Sequence, residues 1–402
     1  MYRYENQEQH KAIRPSRRVE SIQEYYFSRK LKEIARLNRE GRDIISLGIG
    51  GPDLPPAKTV IDAACECLRR DDTHSYQMTV GLPELRKAFA DWYRRFYHVD
   101  DIDPDSEVLP LIGSKEGCLD ISLAFLNPGD GVLVPNPGYP TYSSAARIAE
   151  AELFTYDLSA SNGWQPDFDA LENLPLKRIK LMWVNYPHMP TGTPASPELF
   201  ARLVDFGRRH GIVIVNDNPY SFILNDNPLS IFNAAGAKDI AIEMNSLSKC
   251  QNMAGWRVGM VTAKADFINW ILKIKSNIDS GQSKAIMTGA IEALSQGQEW
   301  YDSLNKIYRT RRTVAEQILS ALRCTYIPGQ QGLFLWARIP ETEQSSELFT
   351  ERILDRARVF LTPGFIFGTA GERYIRISLC ADTDTLRRSL DRINKYINDE
   401  SA

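Results

Sequence analysis

Several things are missing from this 402-residue chain, and each absence removes a class of answer. Its six cysteines, Cys65, Cys67, Cys118, Cys250, Cys324 and Cys380, are scattered, which suggests neither a disulfide framework nor a paired metal knuckle. Cys65 and Cys67 come closest, but "DAACECL" reads as helix. The five histidines show no ligand spacing, and no metal is expected. No run approaches the ~20 apolar residues of a membrane span, and the polar start "MYRYENQEQHKAIRPSRRVE" lacks the apolar centre of a secretory signal. A cytoplasmic address is the expectation. An excess of one charge is absent too: 48 Lys and Arg against 51 Asp and Glu leave a net charge of -3, so neither a nucleic-acid nor a membrane partner is implied. There is no internal repeat and no low-complexity tract.

What remains is an ordinary globular composition, 43% apolar and 25% charged, long enough for one large and one small domain. Strand-like runs alternate with helix-period segments, the signature of a mostly parallel sheet with crossover helices. The clearest helix is in "VGLPELRKAFADWYRRFY": Pro83 suits a first helical turn, and Leu85, Phe89, Trp92 and Phe96 share one face. Strand candidates are "VLPLI" from 108, "GVLVP" from 131, "IKLMWV" from 179, "IVIV" from 212, "IAIEM" from 240 and "RVGMVT" from 257. Most run directly into small or polar residues. In open α/β sheets ligands bind beyond the carboxyl ends of the strands, so these turns are expected to converge on one crevice. After about residue 285 the pattern changes to a long amphipathic helix through Trp300, Leu304, Ile307, Tyr308, Val314, Ile318 and Leu322. The strand-like "GLFLWARI" and "RYIRISLC" follow, then a last helix through Leu386, Leu390, Ile393 and Ile397. This reads as a smaller α+β domain completed by the residues before 50.

"SLSKCQNMAGWRVG" sets Lys249 directly after a buried strand. Partial desolvation there favours the neutral amine, the form that condenses with carbonyls. An isolated lysine in such a loop would more often be simply solvated. Its company argues otherwise.

With these motifs in view the sequence resembles the fold type I pyridoxal-phosphate enzymes, specifically the class I/II aminotransferases, from about Val19 to the final helix. The resemblance implies an α/β fold: a large domain, residues 51–285, with a mostly parallel seven-stranded sheet flanked by helices, and a smaller α+β domain, residues 286–402. Residues 1–50 would join the small domain. In "S-x-x-K", here Ser246 and Lys249, the lysine anchors pyridoxal 5'-phosphate, and Arg257 pairs with the phosphate, which two guanidinium N–H groups meet at once. Ser114 and Lys115 of "GSKEG" would add phosphate donors at a helix N-terminus. "VNDNPYSF" resembles the family's "D-x-x-Y", giving Asp217 to the pyridine nitrogen and Tyr220 to the ring hydroxyl. Tyr139 of "PNPGYPTY" matches the ring that stacks on the cofactor, while Tyr142 reads as packing.

The resemblance extends to substrate and assembly. Arg376 of "RYIRISLC" would grip the α-carboxylate, and the backbone N–H of Gly50 would touch the same group. Tyr76 of "SYQMTVGLPELR" would reach the phosphate in a neighbouring subunit, which implies a homodimer. "NYPHMPTG" aligns with a turn usually ending "N-P-T-G", so Met189 stands where relatives carry asparagine and cannot donate to the ring oxygen. Tyr220, with Asn185 or His188, is expected to compensate. The implied activity is ping-pong transfer of an α-amino group from an L-amino acid to a 2-oxo acid, with 2-oxoglutarate the plausible partner.

The stretch "ILKIKSNIDSG" carries no arginine where dicarboxylate-specific relatives have one; the alignment puts Leu272 there. Tyr25, Tyr26, Phe27, Phe365 and Phe367 are candidates for an apolar mouth. β-Lyases share the fold and motifs, so a pyridoxal-phosphate-dependent β-lyase is the alternative reaction. A non-enzymatic sensor would need an appended DNA-binding module, and a cofactor-free lysine aldolase would leave Asp217 and the phosphate segments unexplained.

Overall fold

The structure, a computed structural model, describes residues 13–21 and 26–401. Tyr25 lies outside the described residues. Seven strands form the large sheet: β2 (Val108–Leu111), β3 (Gly131–Asn136), β4 (Glu152–Asp157), β5 (Ile179–Val184), β6 (Val213–Asp217), β7 (Ala241–Ser246) and β8 (Gly259–Ala263), with β1 (Ile45–Ser46) preceding them in the chain. Their order across the sheet is β2-β8-β7-β6-β5-β3-β4, and only β8 runs against its neighbours. The other pairs are parallel, as crossover connections require.

Helices cover both faces of this sheet, which is why its central strands are largely apolar rather than alternating. Every residue of β3, β6, β7 and β8 is buried. β4 escaped the sequence reading because it is an edge strand whose side chains are mostly half or fully exposed. The helix Pro83–Tyr97 has Pro83 in its first turn, and Leu85, Phe89 and Trp92 are fully buried, while Phe96 is only half-buried.

A three-stranded antiparallel sheet joins β9 (Phe334–Arg338), β11 (Thr362–Pro363) and β12 (Tyr374–Ser378), with β12 in the middle. β1 pairs in parallel with β10 (Val359–Phe360), so the segment before residue 50 docks on the carboxyl-terminal part of the chain. The long helix Gln298–Ala321 packs against the last helix, Thr383–Ser401. The helix Lys284–Ser295 packs instead on Lys58–Leu68 and Pro83–Tyr97. Among the described residues no helix is long and apolar enough to cross a membrane.

Candidate active site

The carboxyl ends of the parallel strands open on one side of the large sheet, and the turns that leave them carry the chemistry. β6 ends on Asp217; β5 leads into Asn185 and β3 into Tyr139; Lys249 follows β7 within the short helix Leu247–Cys250. Because β8 is antiparallel, it begins at this same edge, with Arg257 two residues before it. Arg376 arrives from β12 of the small sheet and Gly50 from just beyond β1. Twelve of the residues singled out from the sequence border one cavity of about 400 Å³: Gly50, Ser114, Lys115, Tyr139, Asn185, Met189, Asp217, Tyr220, Ser246, Lys249, Arg257 and Arg376. Tyr76 lies elsewhere, with 92% of its surface exposed.

Lys249 Nζ donates to the carbonyl of Gly50. Burial holds its amine below the ordinary lysine value; Arg376 and Arg257 push the same way, against Cys380 and Asp217. Asp217 is buried, and desolvation lifts its carboxyl to about 6 although a hydrogen bond from Tyr142 and the charge of Lys249 pull it down. Tyr142 donates to Asp217 Oδ2 at 2.9 Å and stacks on Trp183 with ring centroids 4.9 Å apart and planes 5° apart. The sequence reading assigned Tyr142 to packing; it packs and also fixes the carboxylate. Two tyrosines three positions apart at the start of the helix Pro140–Ile148 were the available signal, since 139 and 142 project to one side.

The turn after β5 is tied down from within. Asn185 donates through Nδ2 to the carbonyl of Asp217, and its Oδ1 accepts from the N–H of Met189 at 2.7 Å. His188 does not border the cavity: its Nδ1 lies 2.8 Å from Thr191 Oγ1, and burial pushes the ring down to about 3, so it stays neutral. It is therefore not the compensating donor. Burial raises the Tyr220 phenol, with Arg376 as the opposing influence. Arg376 is buried, donates through Nη2 to the carbonyl of Gly48 at 2.8 Å and lies 3.8 Å from the ring centre of Phe334.

Two observations test whether these residues fit pyridoxal phosphate. Asp217 Oδ1 is buried with no hydrogen-bond partner, as a carboxylate awaiting a cationic N–H donor would be. At Gly113, φ is +76° and any Cβ would collide with the Arg257 guanidinium, so glycine is required where the helix Ser114–Phe125 begins. That N-terminus, with Lys115 and Arg257 beside it, suits a phosphate. Ser246 caps the lysine-bearing helix, its Oγ accepting from the N–H of Ser248 at 3.1 Å. The residues fit.

The family described as "Aminotransferase class I and II" matches residues 42–393. The chain belongs to the class I and II aminotransferases. It is 40% identical over 383 residues to an LL-diaminopimelate aminotransferase of Dehalococcoides mccartyi, covering 95% of this chain and 98% of that protein. A second enzyme with the same activity, from Aquifex aeolicus, is 39% identical over 380 residues, 94% and 98% of the two chains. Among solved structures, substrate-bound BacF from Bacillus subtilis superposes with a TM-score of 0.89 at 34% identity, covering 96% and 98%. The aspartate aminotransferase of Thermotoga maritima gives 0.87 at 26% identity, covering 96% and 100%. This aminotransferase thus has the fold type I architecture, depends on pyridoxal phosphate, and acts on amino and oxo acids.

Of the proposed apolar mouth, Phe27 and Phe367 border the cavity. Phe365 does not; it packs edge-on against Tyr26 at 5.8 Å. Leu272, on the helix Ala265–Lys275, packs into the core beside the large sheet, away from the cavity of its own chain. Leu31 and Ile49 line the mouth and were not foreseen, because both sit in segments whose periodicity says only helix or strand end.

Proposed function

We propose that this aminotransferase moves the α-amino group of an L-amino acid onto 2-oxoglutarate in two alternating half-reactions. The observation that carries the reading is the convergence of Lys249, Asp217 and Arg376 on a single cavity. Bound pyridoxal phosphate supplies a carbonyl that condenses with amines and a ring that draws electrons from the substrate Cα–H bond. The chain does the rest. Arg376 orients the α-carboxylate by two parallel N–H bonds, and Gly50 supports it. Lys249 would anchor the cofactor and, as a free amine of lowered basicity, take the substrate Cα proton on Nζ and hold it for return. Asp217, steadied by Tyr142, holds the ring nitrogen in its protonated form. Ser114, Lys115, Ser246 and Arg257 bind the phosphate, Tyr139 covers the ring face, and Tyr220 with the Asn185–Met189 turn borders its oxygen side.

Tyr76 completes the phosphate site of a second copy, a role consistent with its 92% exposure. Sedimentation at twice the chain mass, together with weakened cofactor binding in Tyr76→Phe, supports this; a monomer with full activity overturns it. The boundary near residue 50 is supported by the β1–β10 pairing, whereas the helix Lys284–Ser295 packs on the large side and favours a second boundary after it rather than at 285.

Two donors are favoured by separate observations. The relatives point to LL-diaminopimelate, whereas Phe27, Leu31, Ile49 and Phe367 form an apolar wall that favours aliphatic or aromatic L-amino acids. Incubation of the holoenzyme with 2-oxoglutarate and each of LL-diaminopimelate, L-leucine and L-phenylalanine is expected to yield glutamate equal to the donor consumed. Ammonia and pyruvate from cysteine or cystathionine, with no glutamate from any donor, would assign a β-lyase instead.

A further inference from the structure

Met189 occupies an unusual position for a sulfur atom. Its Sδ lies 3.2 Å from Arg376 Nη1. The same guanidinium is ringed by Phe334 at 3.8 Å, Phe367 at 4.7 Å and Phe27 at 5.5 Å from the ring centres. A thioether is a weak acceptor, so this contact yields readily to a carboxylate. The Met189 backbone is held by the bond from its N–H to Asn185 Oδ1 at 2.7 Å, and the residue is 5% exposed.

The remaining methionines make Met189 distinctive. Met182, Met244, Met253, Met260 and Met287 are 0% exposed, and Met78 lies on the surface at 74%. Among the described residues Met189 is the methionine that borders the cavity, which a molecule the size of water or peroxide can enter.

We propose that Met189 is an oxidation site that closes the carboxylate subsite: hydrogen peroxide entering the cavity converts it to the sulfoxide, whose oxygen then occupies Arg376. The inference rests on the reading of Arg376 as the carboxylate grip. A sulfur lone pair attacks one peroxide oxygen, the O–O bond breaks, and hydroxide leaves and takes the proton from the new S–OH group. The sulfur loses two electrons and the peroxide is reduced to water. The product carries a strongly accepting oxygen on a sulfur already within reach of Nη1. An incoming carboxylate must then displace a charge-assisted hydrogen bond, which weakens its binding by about tenfold to a hundredfold.

The test uses the carboxylate 3-phenylpropionate, which has no amino group, titrated calorimetrically into the holoenzyme before and after graded peroxide treatment. Peptide mass analysis locates the added oxygen. Binding is expected to weaken at least about tenfold in step with oxidation at Met189 and not with oxidation at Met78. Dithiothreitol, which would repair oxidised cysteine, should not reverse the loss. Met189→Leu, referred to its own untreated affinity, should resist peroxide, and Met78→Leu should respond like the unmodified protein. Arg376→Lys and Arg376→Gln, checked for unaltered melting, separate the two levels of the argument. If neither weakens 3-phenylpropionate binding, the carboxylate reading fails. If they do weaken it, yet Met189 resists oxidation or its sulfoxide binds the probe normally, the oxidation site is refuted and the carboxylate reading stands.

Discussion

Asp217 should make the cofactor-free protein less stable at neutral pH than a variant that cannot ionise there. Desolvation raises its carboxyl from the ordinary 3.8 to about 6. The folded protein therefore holds a proton that the unfolded chain has already released between about pH 4 and pH 6. In that window the native state binds more protons, so stability falls as pH rises, and it levels off above the folded value. A difference of about two pH units corresponds to about 3 kcal/mol. Asp217→Asn keeps an oxygen for the Tyr142 hydroxyl and abolishes the titration. Relative to this variant, the parent should match at pH 4 and be weaker by about 3 kcal/mol at pH 8. Unfolding entropy of about 2.1 cal/mol/K per residue converts this to a melting difference of about 3 to 4 °C for a chain of this length. Differential scanning calorimetry of both cofactor-free proteins from pH 4 to pH 8 reads it directly. Parallel curves, with no divergence between pH 4 and pH 6, would refute the claim that burial of this carboxylate is held against a stability penalty. With cofactor bound the order should reverse, because Oδ1 then has a cationic partner and the variant does not.

The other predictions concern neighbouring groups. Tyr142→Phe removes the hydrogen bond that lowers the Asp217 carboxyl, so the falling limb of cofactor-free stability should extend to higher pH; an unmoved limb argues that the bond has no electrostatic effect. Lys249→Ala should retain measurable cofactor affinity through Arg257 and the helix N-terminus but lose turnover, and near-normal turnover measured as glutamate formation would remove the lysine from its proposed role. Arg376→Lys keeps the charge but loses the planar fork. It should raise KM for both amino and oxo acids by about tenfold or more with a smaller change in kcat. A fall in kcat with KM unchanged would point to displaced chemistry rather than weakened binding.

Much of this was legible in the sequence, for a physical reason. Six strands of the large sheet are largely apolar runs because both faces are covered, and each ends abruptly in turn-forming residues, so both existence and boundary are written locally. β4 is not, since an edge strand with exposed side chains leaves little pattern. The motif residues that line the cavity could be singled out because the roles proposed for them require fixed residue types at fixed spacing. The double role of Tyr142, the isolation of His188 from the cavity, and the inward packing of Leu272 depend on how side chains turn after the backbone is set, which spacing does not specify. The same holds for Met189. The sequence marked it as a departure beside the cofactor ring; its observed contact is with Arg376, at the carboxylate end.

The reversal of β8 has a consequence for how this chain tolerates change in length. Elsewhere in the sheet successive active-site turns are separated by crossover helices, and an inserted residue can be absorbed on the far side of the molecule. Between Ser246 and Gly259, which face each other in register, there is no such slack: Leu247 N–H bonds back to the Val258 carbonyl at 3.1 Å. Lys249 and Arg257 lie inside this closed hairpin. A single-residue insertion or deletion there must change the distance between the amine and the guanidinium, so the spacing between them should be among the least elastic stretches of the chain.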